Sequence, residues 1–150
     1  MDIEGLLKSL NAHRVRYVVI GAHAFPVHGY ARATLDIDFF IEPTPRNAAR
    51  TLKALRAFGY DTADLSAKDL LARKVLLRQY LVESDFHPFV KGVSFGTAWK
   101  NRVKGKIGRT PAFFASLNDL IRMKRAAGRK KDIQDLAALL QLRKKKKAGS

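Results

Sequence analysis

Cysteine is absent from the 150-residue chain, which excludes disulfides and thiolate metal sites. Only four histidines are present, and they are scattered, so a metal here would be held mainly by oxygen. Acidic residues are scarce: 13 Asp and Glu stand against 29 Lys and Arg, a formal charge of +16. A field of that sign favours a polyanionic partner, whether nucleic acid, nucleotide or anionic surface. Arg143 to Lys147 supply only five of these cations, so the bias belongs to the rest of the chain as well. Long apolar runs are also missing. No window approaches the ~20 apolar residues of a membrane span, and the opening MDIEGLLKSL lacks a basic segment followed by an apolar stretch. The chain is expected to be unexported, off the membrane and cytoplasmic.

With 47% hydrophobic residues and no internal repeat, a chain of this length makes one domain that buries roughly 70% of its unfolded surface. The patterning places that domain at 1–142, followed by a basic, disordered tail at 143–150 whose charges repel. IEGLLKSLNAH has helical spacing, and RYVVIG reads as a buried strand ending at Gly21. AHAFPVHGY is a short helix or turn broken by Pro26 and Gly29. LDIDFFIEP is a second strand stopped by Pro43, and a helix follows from about Arg46 to Phe58. Ser66 with Asp69 marks an N-terminal cap and a short helix. KVLLRQYLVESDFHPFV gives one or two strands, in which alternation puts Leu81, Glu83, Asp85 and His87 on one face. GVSFGTAWKNRVKGKIG leads through a loop or short helix to a small strand. Two helices close the chain, one capped by Ser116 with Asp119, the other after a break at Gly128. The fold class is α+β (mixed α/β), a small mixed sheet flanked by helices, with C-terminal helices.

The chemistry lies in ATLDIDFFIEP, residues 33 to 43. Alternation turns Asp36 and Asp38 to one face and Ile37 to the other, into the core. Two like charges side by side cost free energy unless a cation lies between them, and Mg²⁺ takes carboxylate and phosphate oxygens together. Asp85, on another β-like segment, is the candidate third carboxylate, with Glu83 as the alternative in a shifted register. By itself a D-x-D pattern is common, and Asp36 could equally cap the strand or pair with Arg32. Gly21 before a short helical segment can turn backbone N–H groups to a phosphate. Arg32 and Thr34 add a cation and a hydroxyl just upstream of the aspartates.

YVVIGAHAFPVHGYARATLDIDFFIEP resembles the motif region of the small AbiEii-like nucleotidyltransferases, within the DNA polymerase β-like superfamily. Gly21, His28, Gly29, Arg32, Thr34, Asp36, Ile37 and Asp38 stand in matching places. The tail SLNDLIRMKRAAGRKKDIQDLAAL is also similar, through Lys124, Arg129, Asp132 and Asp135. The resemblance implies a nucleotidyltransferase-like domain that moves a nucleoside monophosphate from an NTP to a hydroxyl, with loss of pyrophosphate. Two Mg²⁺ or Mn²⁺ ions about 3.5 to 4 Å apart would clamp the reacting oxygens. In that scheme Asp36, Asp38 and Asp85 bind metal and act in catalysis. Gly21, Ala22 and His23 cradle the phosphates, Arg32 and Thr34 assist, and Lys124 reaches over from the C-terminal helices. The acceptor would be RNA, such as tRNA, or a protein. Some relatives are toxins in toxin–antitoxin or phage-defence modules, and a partner protein or homo-oligomer fits that setting.

One position departs from the pattern. Ala22 stands where the family has a second glycine or a serine, so a hydroxyl for the terminal phosphate is missing. Together with the charge, this motivates an alternative: a catalytically inactive member of the fold that binds nucleic acid or a partner protein. Other residues carry plainer expectations. His28 beside Gly29 reads as a turn histidine, and Asp132 and Asp135 share a helix face where they can pair Lys131 or Arg129. Trp99, Phe89, Phe113 and Phe114 are assigned to packing.

Overall fold

A computed structural model describes residues 2–79 and 82–149. Leu81, read on the face of Asp85, lies outside them. Helix α1 (Ile3–Ala12) begins where Asp2 accepts a hydrogen bond from the Gly5 N–H, and it buries Leu6, Leu7 and Leu10. Strand β1 (Tyr17–Ile20) is buried at every position. Two single-turn 3₁₀ segments, Gly21–Ala24 and Pro26–His28, lead toward β2 (Ile37–Ile41). Helix α2 (Pro45–Phe58) starts at the Thr44 cap and stops at Gly59, whose φ of 114° suits glycine. After α3 (Ala67–Ala72), with its reciprocal Ser66–Asp69 cap, come β3 (Val75–Gln79) and β4 (Val82–His87). Helix α4 (Phe95–Lys100), β5 (Val103–Ile107), β6 (Thr110–Phe114), α5 (Leu117–Ala127) and α6 (Ile133–Ala148) complete the order.

The six strands form one mixed sheet in the order β3-β4-β2-β1-β6-β5. β2 and β4 run parallel at its centre, and antiparallel pairs flank them on both sides. Alternation then divides β2. Ile37, Phe39 and Ile41 are fully buried on one face, where Phe39 stacks on its neighbour Phe86 at 5.0 Å and meets Tyr17 edge-on at 5.5 Å. On that face the Tyr17 hydroxyl donates to Asn11 of α1, and Ser9 of α1 donates to the Ala54 carbonyl of α2. Asp38 belongs to the opposite face, which Phe40 closes below it by packing edge-on against Phe95 of α4.

This is the mixed α/β class, with a six-stranded mixed sheet and C-terminal helices, that the patterning predicts. TPAFF, to which the patterning assigns no element, forms β6, an interior strand; the Pro111 carbonyl accepts from the Asn11 side chain and the following Ala115 N–H donates to Val19. Two local expectations change. The charge run predicts irregular structure from 143, whereas α6 stays helical through Ala148 and exposes Lys144 to Lys147 on all sides. Packing is expected for Phe89, which instead is 68% exposed, just past the bend at Pro88 that ends β4. Phe114 and Phe113 do pack, the latter against Tyr17 and Trp99.

Because Phe39 joins three strands through its ring contacts, Phe39→Ala is expected to cost about 3–5 kcal/mol. Urea unfolding followed by circular dichroism measures this, and a loss below about 1 kcal/mol would contradict the packing.

Candidate functional site

The parallel register of β2 and β4 sets Asp38 directly beside Asp85 and Ile37 beside Ser84. Ser84 and Phe86 turn to the helical core, so Glu83, Asp85 and His87 share the face of Asp38. His87 Nε2 is hydrogen-bonded to Asp38 Oδ1 at 2.9 Å. One ligand atom each from Asp38, Asp85 and His87 lie within 4.8 Å of one another. Two carboxylates and an imidazole at that spacing suit a divalent cation. The donor set is thus mainly oxygen, with one imidazole nitrogen. Gly21, at φ 68°, follows β1 and approaches so closely that a Cβ would sit 2.7 Å from Asp38 Oδ2. Any larger residue would intrude on the carboxylate. His23 Nε2 is buried without a hydrogen-bond partner; burial lowers the pKa of its ring, against the pull of Asp38 and Asp36. A neutral imidazole nitrogen without a partner beside two carboxylates is consistent with a ligand site.

Asp36 stands apart from the three-residue group. It lies between the bend at Leu35 and β2, and its partner is Arg78 of β3, with Nη2 3.4 Å from Asp36 Oδ2. The same guanidinium donates through Nη1 to Asp85 Oδ1 and through Nη2, at 3.3 Å, to Asp85 Oδ2. Glu83 faces Asp36 rather than the Asp38 group. Its carboxyl is pushed above the usual range first by its hydrogen bond with Asp36, with burial and charge repulsion adding to it. Of the alternatives for the third carboxylate, Asp85 is the one beside Asp38, and Glu83 is not in the group.

The cations expected at the phosphates are engaged elsewhere. Arg32 forks onto Asp135 of α6, Nε at 2.7 Å and Nη2 at 2.8 Å, so it does not pair with Asp36. Lys124 of α5 bridges Asp132 at 3.0 Å and Asp135 at 3.3 Å. Arg129 closes the network on Asp132 at 2.7 Å and 3.1 Å. Its Asp132 bonds raise its pKa first, against the opposing effect of burial, and the field of Asp38 adds a smaller contribution. Lys124, Arg125, Arg129 and Lys130 border a recess of about 260 Å³ with Ile133 and Leu136. Thr34 Oγ1 reaches only the Asp36 carbonyl, at 3.4 Å. Ala22 is 7% exposed with its methyl in the core cluster, so the pocket lacks a side-chain group at that position. His28 is a buried turn residue whose ring bonds the Ala115 carbonyl at 2.8 Å, and Trp99 has one face covered by Arg102 at 3.9 Å.

With this geometry in view, residues 2–143 match a protein family described as a nucleotidyltransferase of unknown function (DUF6036). The chain belongs to that family. No curated protein matches the sequence. Membership supports a transferase of nucleotidyl groups, with an NTP as its ligand, at that level of detail. Among the described residues, no helix is long and apolar enough to cross a membrane. In this nucleotidyltransferase family member, three residues of the site region were not assigned roles from sequence: His87, Arg78 and Arg129. Alternation already places His87 on the right face. Arg78 could not be found that way, since its link to Asp85 depends on the β3–β4 pairing.

The ion network also sets acid stability. Burial alone would raise the Asp132 carboxyl, but hydrogen bonds from Arg129 and Lys124 outweigh it and hold it at about 2, below its usual 3.8. A depressed carboxyl stabilises the fold above the unfolded value and loses that contribution as pH falls through the folded one. The melting temperature is therefore expected to drop between pH 4 and pH 2. Asp132→Asn should flatten that limb and cost on the order of 1–3 kcal/mol at neutral pH. Thermal melts across that range measure both.

Proposed function

We propose that this chain is a metal-dependent nucleotidyltransferase that moves a nucleoside monophosphate from an NTP to an acceptor hydroxyl. The supporting observation is the strand register that pairs Asp38 with Asp85 and brings His87 to both. In the reaction, an acceptor oxygen bonds to the α-phosphorus, the α–β bridging bond breaks, and pyrophosphate leaves. Bound Mg²⁺ or Mn²⁺ would neutralise the transferring phosphoryl group and lower the pKa of the attacking hydroxyl. The imidazole among the carboxylates favours Mn²⁺ over Mg²⁺.

Asp38, Asp85 and His87 hold the cation in this reading, and Asp36 provides a further carboxylate. Asp85 also takes the hydroxyl proton, being the buried member of the group at 6% exposure. The turn Gly21–Ala22–His23 presents backbone N–H groups to the phosphates. The half-exposed Arg129 of the ion network reaches them in this reading as the tail cation. Arg32 and Lys124 act on the nucleotide indirectly, by holding α6 against the motif loop. Thr34 supports the backbone of Asp36.

The acceptor we favour is RNA, such as tRNA, because a +16 chain ends in a helix with four exposed lysines; a protein hydroxyl is the other acceptor class. An AbiEii-like subtype, a cytoplasmic toxin–antitoxin or phage-defence role and work with a partner protein or as a homo-oligomer all accord with this reading. Ala22 favours a second one, a catalytically inactive fold that binds nucleic acid or a partner protein, because the turn offers no side-chain hydroxyl.

The test is transfer from labelled NTPs to RNA or protein with Mg²⁺ or Mn²⁺. Asp38→Asn and Asp85→Asn should each lower the rate by at least about 100-fold, roughly 2.7 kcal/mol of transition-state stabilisation. Absence of both transfer and metal-dependent NTP binding would reject the reading. Salt-dependent RNA binding that survives Asp38→Asn, without transfer, would select the second one.

A further inference from the structure

Four carboxylates, Asp36, Asp38, Glu83 and Asp85, share one small area of the sheet. Only one cation among the described residues bonds across the gap between the two strands that carry them: Arg78, which forks onto Asp85 and reaches Asp36 with the same Nη2. We propose that Arg78 is a tethered cation standing in the place of a second divalent ion, bridging Asp36 and Asp85 until a divalent cation arrives with a triphosphate. The inference rests on the metal-dependent reading above.

The strand geometry makes the placement specific. Arg78 is registered opposite Glu83 in the β3–β4 pair, yet its guanidinium makes its contacts with Asp85 and Asp36 instead. Asp85 is therefore claimed twice, by the guanidinium and by the group with Asp38 and His87. A planar guanidinium spreads one charge over a fork of donors, whereas a divalent ion concentrates two charges at a point. The two cannot both take Asp85 fully, so binding at one weakens the other. The Arg78 side chain is 41% exposed on an edge strand, so it can swing into water without opening the core. Once released, it lies at the mouth of the same site with its donors free for phosphate oxygens.

Without nucleotide, the protein should hold one divalent ion, at Asp38, Asp85 and His87. The experiment is a Mn²⁺ titration of the full chain without nucleotide, read by electron paramagnetic resonance as bound against free ion. Arg78→Gln should bind a second Mn²⁺ and tighten the first by about tenfold or more, with spin coupling between the two ions. Arg78→Lys, which keeps the charge but loses the fork, should fall between wild type and Arg78→Gln and guards against a folding defect. Lys74→Gln removes one nearby exposed cation that has no part in the carboxylate cluster and should change affinity by no more than about twofold. If Arg78→Gln binds Mn²⁺ as the wild type does, or gains no more than Lys74→Gln, the tethered-cation role is wrong while the metal site stands. If wild type and Arg78→Gln both bind no Mn²⁺, the metal-dependent reading itself falls.

Discussion

Asp38 and Asp85 stand side by side because two parallel strands meet in one register, and their repulsion is the constraint around which the site is built. Like charges at adjacent strand positions destabilise a sheet unless something positive lies between them. Here the compensation comes from several directions. The His87 ring bonds Asp38, the Arg78 fork engages Asp85, and Gly21 leaves the Asp38 carboxylate the room it needs. The opposite face of the same strands carries the offsetting apolar burial through Phe39 and Phe86. Displacing one strand by a single residue would exchange the two faces, sending carboxylates into the core.

A second electrostatic unit joins the two ends of the chain. Asp135 receives Arg32 from the motif loop and Lys124 from α5, while Asp132 receives Lys124 and Arg129. Both aspartates are almost fully buried and both hold Lys124, itself only 14% exposed, so removing either would leave that poorly solvated cation short of a counter-charge. This explains physically why the front motif and the tail around Asp132 and Asp135 belong together. Residues about a hundred positions apart form one clamp, which also holds Arg129.

Local signals were legible where they depend on near neighbours in sequence. Ser66 with Asp69, Ser116 with Asp119 and the break at Gly128 all appear as helix caps, because capping is settled within one turn. The alternation that turns Asp38 away from Ile37 is likewise a property of a few residues. By contrast, β6 has no clear local signal, since Pro111 lacks an N–H and the strand is defined by its neighbours β1 and β5. Lysines 144–147 looked irregular because a charge run opposes packing, yet they extend a helix already nucleated by Leu136 and Leu139. Arg32 and Lys124 looked like phosphate ligands because a cation's partner is chosen in space.

The sequence by itself determined the alternating strand that presents two aspartates, the glycine turn before it, the helix caps and a strongly positive field. Each of these follows from composition or from contacts only a few residues long. Tertiary structure alone decided that Asp85 rather than Glu83 stands beside Asp38, that His87 joins them and that Arg78 bridges Asp85 to Asp36. It also decided that Arg32 and Lys124 are held by buried aspartates. Those pairings depend on strand order, register and helix docking, which bring distant residues within hydrogen-bond reach and which no local pattern encodes.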